Sequence, residues 1–323
     1  MSDGRAGNRF ERRAFVGAFA AAAAGWGLGL RAESQQRSTV VLARTEGLTG
    51  ASGPAHYQAI LDLLTLSLRR LTGETTDAAA RQRFFGARDA LAVQIAAAPT
   101  PVTPEVVDAI CTTAARAGVS TERMVVYSAD EQELYQAGFA IRHEGPGVRC
   151  YGASSGEYRD SLTRLLEPEE TVIANVPCLS PHEQVGLAGA VENYLNAANN
   201  GLRHDSLADG GARLPEILKL RPCRERTRVH VMDCLKPAYD LPASGAAARW
   251  EYNALLVSAD PVALDSVALA ILQAKRREVA GRDWPLDPYP IHVQRAAEQY
   301  GLGVADLSAI DLLRIGPMDG SLV

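Results

Sequence analysis

Along residues 39–315, short apolar runs alternate with longer stretches whose apolar residues recur three and four positions apart. The first period reads as strand and the second as helix, so few architectures fit the alternation. The strand-like runs are 39–43, 90–96, 124–127, 148–151, 171–176, 228–232, 254–257 and 311–315. Helical spacing covers 57–71, 103–117, 131–137, 185–198, 260–277 and 291–300. Two helices announce their starts, Thr103 before Pro104 and Asp260 before Pro261, because proline fits the first turn and Thr or Asp can cap it. Asn199-Asn200-Gly201 reads as a break, and 200–211 as a Gly- and Asp-rich loop. Strands separated by helices predict βαβ units, hence an α/β fold with a mainly parallel sheet flanked by helices. No internal repeat or linker interrupts residues 33–323, so they read as a single domain.

Residues 1–32 differ. A head with Arg5, Arg9, Arg12 and Arg13 precedes an uncharged run of 17 residues, Ala14 to Leu30, rich in Ala and Gly. The segment Arg12-Arg13-Ala14-Phe15-Val16 has the form of a twin-arginine signal, with Arg12 and Arg13 as the contacts for the export machinery. The expected location is periplasmic or secreted. A bilayer span wants about 20 predominantly apolar residues, so no stable span is expected in the mature form. An uncleaved anchoring helix is the alternative.

The chain has 33 Lys+Arg against 38 Asp+Glu, a net charge of −5. Residues 1–32 hold five arginines and two acids, so without them 28 bases face 36 acids, a net charge of −8. That excludes nucleic-acid binding through a diffuse basic surface. Five cysteines, Cys111, Cys150, Cys178, Cys223 and Cys234, include no CxxC pair, so neither an iron–sulfur cluster nor a zinc ribbon is expected.

Several stretches carry a resemblance: TPEVVDAI (103–110), ELYQAGFAIRHEGPGVRCYG (133–152), IANVP (173–177), the His182 segment and EYNALLVSADPVALDSVA (251–268). Together they resemble the twin-arginine-exported branch of the domain-of-unknown-function family 362, whose activity is not established. Many relatives add a ferredoxin-like cysteine module, which this chain does not show. The resemblance implies lysines where this chain reads Gln94, Ser180 and Glu192. If they bind an anion in relatives, that clamp is lost here, and Glu192 reverses its sign.

The candidate site is a small-molecule or metal-ion site at strand carboxyl ends, where open α/β sheets form their crevice. His182 and Asp233 are the candidate acid–base residues. Asn193, Asn253 and Asp265 are the candidate ligand contacts, the two asparagines being positions that the resemblance retains. His182, His204, Asp205 and Asp233 make a mixed nitrogen/oxygen set suited to a divalent metal. Each has a plainer role open to it: His182 as the cap of a helix starting near Glu183, His204-Asp205 as exposed loop residues, Asp233 and Asn253 as turn residues. The alternative function is a non-catalytic binding or scaffold protein with a degenerate family site.

Overall fold

Eight strands form one sheet, because each expected apolar run pairs with a neighbour. In chain order they are β1 (Ser38–Arg44), β2 (Ala90–Ile95), β3 (Met124–Ser128), β4 (Arg149–Gly152), β5 (Thr171–Val176), β6 (Thr227–Cys234), β7 (Ala254–Ser258) and β8 (Ile310–Ile315). Their spatial order is β8-β1-β7-β6-β5-β2-β3-β4. All neighbours are parallel except β7, which runs antiparallel to both β1 and β6. No helix separates β6 from β7, and a parallel return needs a long crossover, so the chain comes back in the opposite sense. The fold is α/β, as expected, with one reversed strand inside the sheet. The computed structural model describes residues 37–49, 52–155, 158–244 and 246–323. The expected signal over 1–32, with Arg12 and Arg13, lies outside the described residues.

Strand alternation sorts side chains between two layers. Val41, Val93, Val126, Val231 and Leu255 face helices Pro54–Thr72 and Pro104–Arg116. Val40, Leu42, Ile173, Met232 and Leu256 face the opposite way, towards the helix Pro261–Ala280 and the segment 185–198. Asp260 caps that long helix as expected, accepting from the Val262 and Ala263 N–H groups. Thr103 sits at a helix start, but its side chain makes no cap bond. The five cysteines are buried and unpaired.

Two elements depart from the expected pattern. Residues 185–198 do not form one helix. Ser180–His182 pairs with Gly186–Ala188 as a β-hairpin, and a 3₁₀ helix follows over Glu192–Ala197. Gly186 turns at φ +83°, and the N–H groups of Ala190 and Val191 are drawn to the Asp265 carboxylate. Those donors are lost to an α-helix. The reverse holds for 200–211, which is the helix Asn200–Gly211 with a kink at Ala208–Gly210. Asn199, read as a breaker, is its N-cap and accepts from the Leu202 N–H. No helix among the described residues is long and apolar enough to cross a membrane.

Candidate functional site

His182 ends the first strand of the hairpin, on the sheet edge where β2, β5 and β6 terminate. It lines a cavity of about 450 Å³ with Pro99, Glu183, Gln184, Leu241, Pro242 and Ala247. The Gln184 N–H donates to its Nδ1 at 3.1 Å, so the neutral ring carries its proton on Nε2. Nε2 lies 3.8 Å from Glu192 Oε1, too far for a hydrogen bond. Both side chains are mostly buried, 18% and 15% exposed. Burial lowers the His182 pKa, against the pull of Glu183. Burial, then the nearby Asp265 charge, pushes the Glu192 carboxyl up to about 8. Near neutral pH the pair is therefore a neutral imidazole beside a protonated carboxyl. Among the described residues, neither Nε2 of His182 nor the Glu192 carboxyl has a hydrogen-bond partner.

His292 lies behind this pair. It is fully buried, both ring nitrogens lack a partner among the described residues, and burial, then the nearby His182, lowers its pKa to about 3. The hairpin reaches this depth because Gly186 has no side chain: a Cβ there would lie 2.2 Å from the Pro288 carbonyl oxygen. A second close approach seats Asp265, since a Cβ on Gly189 would lie 2.4 Å from its Oδ1.

The remaining candidates are spent on the protein itself. Asp233 is buried inside β6 and accepts from the Thr103 N–H at 2.7 Å and the Leu235 N–H at 2.8 Å. Asn253, at φ +54°, accepts from both the N–H and hydroxyl of Thr49 at 2.7 Å and so pins a loop. Asn193 donates to Asn175 Oδ1 at 2.7 Å and accepts from Asn196 at 2.8 Å. Asp265 accepts from Val191 at 2.9 Å as well as from Ala190, and burial, offset by those two bonds, pushes it up to about 7.

The metal set is not assembled. Among the described residues no three His, Cys, Asp or Glu side chains form a group that could hold a metal ion. His204 and Asp205 do point together, at 3.6 Å, but on the exposed face of Asn200–Gly211, with side chains 88% and 61% exposed. Asp233 turns inward to its two N–H donors, leaving His182 without a metal partner.

One polar row escaped the sequence reading. Tyr127, Gln94, Asn175, His230 and Ser258 occupy matching register positions on five adjoining strands. The Tyr127 hydroxyl donates to Gln94 Oε1 at 2.7 Å, Gln94 Nε2 donates to Asn175 Oδ1 at 3.1 Å, and Asn175 Nδ2 meets His230 Nδ1 at 3.1 Å. Its signal was present: Gln94, Asn175 and His230 are polar residues at inward positions of the apolar strands ALAVQI, TVIANV and TRVHVMDC. Burying such groups is tolerable only when they are paired, and here they knit the sheet to the 3₁₀ helix through Asn193.

Comparison with known proteins gives one match. The family described as Domain of unknown function (DUF362) covers residues 92–270, more than half of the chain. No curated protein and no solved structure matches it.

Proposed function

Taking as premise that the chain belongs to the domain-of-unknown-function family 362, we propose that it binds an uncharged small molecule at the carboxyl edge of the sheet, against His182 and Glu192. The observation that carries this reading is the pair itself: an imidazole N–H and a carboxyl 3.8 Å apart, both without partners among the described residues, with His182 on the wall of a cavity. A hydroxyl can bond to both, accepting from the His182 N–H and donating to the Glu192 carbonyl oxygen, and a carbonyl can accept from both. Should the ligand react, the protonated Glu192 carboxyl is the proton donor, and His182, its Nδ1 taken by the Gln184 N–H, holds the ligand oxygen through Nε2–H. Pro99, Leu241, Pro242 and Ala247 supply apolar walls, and the places where the resemblance implies lysines hold Gln94, Ser180 and Glu192, which turns this edge away from anions.

The test is a thermal-shift screen of neutral polyols, sugars and hydroxyketones on the full chain, His182→Ala and Glu192→Leu. A compound that stabilises the full chain and fails with both variants supports the reading. Absence of any such compound, or equal stabilisation of all three proteins, sinks it. The second reading, a binding or scaffold protein without turnover, is favoured by Asp233, Asn253, Asn193 and Asp265 being bonded to the protein itself. It gains if a ligand binds and is recovered unchanged.

The twin-arginine branch and an extracytoplasmic location are proposed on the sequence of residues 1–32 alone. Replacing Arg12 and Arg13 by lysine should leave full-length precursor in the cytoplasmic fraction. Unchanged export of that variant would remove this part of the proposal.

A further inference from the structure

At the opposite, amino-terminal edge of the sheet lies a larger cavity, of about 760 Å³, whose lining includes Arg37, Arg83, Arg224, Arg228, Tyr194 and His230. All four arginines are exposed. Arg37 pairs with Asp311, whereas Arg83, Arg224 and Arg228 have no ion pair among the described residues. Arg83, Arg224 and Arg228 thus stand unpaired on one concave wall of a chain with net charge −5. They repel one another unless something negative lies between them.

Two features make the wall a shaped one. Asp260, the only carboxylate on it among the described residues, is already engaged. It accepts from the N–H groups of Val262, Ala263 and Val304 and from the Ser38 hydroxyl, so it has little left to offer the arginines. His230 lies buried on the same wall, and burial lowers its pKa to about 3, so the ring is neutral. Its Nδ1 accepts from Asn175 Nδ2 at 3.1 Å, which leaves the proton on Nε2. Nε2 has no bond partner among the described residues. The polar row thus fixes a donor on the wall that also carries Arg83, Arg224 and Arg228.

We propose that this cavity is a second ligand site, separate from the His182 edge, that takes a small polyanion, a phosphate ester or a polycarboxylate, between Arg83, Arg224 and Arg228 with His230 as the neutral donor. Guanidinium groups suit both oxyanions because their paired N–H groups match two oxygens at once. The volume admits a ligand the size of a mononucleotide or a tricarboxylate.

The test is calorimetric titration of the full chain with pyrophosphate and with citrate at low salt, beside the double variant Arg224→Gln/Arg228→Gln. An exposed arginine elsewhere, Arg282→Gln, serves as the charge control. The expected result is saturable binding of at least one anion, weakened about tenfold or more in the double variant and unchanged in the control. Pyrophosphate preference marks a phosphate ester and citrate preference a polycarboxylate. No saturable binding of either anion up to about 10 mM, or equal loss in the control, overturns the proposal. The substituted residues are exposed, so a thermal melt matching that of the parent chain confirms that folding is not what changed. The cavity and the residues differ from those at the His182 edge, so either proposal can fail alone.

Discussion

Glu192 shows how one buried position governs several titrations. Its folded carboxyl is pushed from 4.5 to about 8, so the folded chain holds a proton that the unfolded chain has lost. Stability contributed this way is present at low pH and declines as pH rises through that window. Asp265, pushed from 3.8 to about 7, acts in the same sense. His230 and His292, lowered from 6.5 to about 3, act oppositely, because the unfolded chain takes up protons as pH falls below 6.5. The four compete below about pH 6.5, and between about pH 7 and 8 Glu192 gives the largest slope, with Asp265 and the buried cysteines adding in the same sense. Glu192→Gln should therefore flatten the loss of stability between about pH 7 and 8, read from urea midpoints across that range. An unchanged slope in the variant would place the titrating group elsewhere. His182 was legible from its place after an apolar strand. Glu192 was legible only as a reversed charge, because its proton affinity depends on burial beside Asp265.

The hairpin Ser180–His182/Gly186–Ala188 is the element on which the candidate site depends. Gly186 combines φ +83° with a close approach to Pro288, whereas Gly145 has φ +102° and open space around it. Alanine at either position meets the backbone penalty, but only at Gly186 must the hairpin also shift. Gly186→Ala should cost about 1–3 kcal/mol more than Gly145→Ala in urea unfolding, with an unchanged m-value. Equal costs would show that the close approach does not set the turn. Apolar spacing over 185–198 pointed to a helix because Val185, Ala188, Val191 and Leu195 recur three and four positions apart, yet every residue there but Glu192 and Asn196 is buried, which leaves no amphipathic face. Asp260 was legible as a cap, since its acceptors act on the residues that follow it directly. Asn199 was not, because asparagine both ends and begins helices.

At the scale of the whole molecule, the described residues from Arg37 to Val323 form one compact unit, and its first strand lies between the last strand and β7. The family-matched span 92–270 lacks β1, β8 and the helix Pro54–Thr72, whose Ile60, Leu61, Leu64 and Leu68 cover one face of the sheet. A fragment of 92–270 should expose that face and the edge of β7, and so aggregate or lose near-UV circular dichroism, while 37–323 keeps it. A well-ordered fragment would mean that the flanking elements are appendages. Strand positions, helix starts and the α/β class were legible in local order, because side-chain period and capping act over a few residues. Neighbour order, the reversal of β7, the His182–Glu192 pair and the gathering of Arg83, Arg224 and Arg228 were not. Each joins residues separated by ten to well over a hundred positions, and such contacts form only when burial of two apolar faces brings distant segments together.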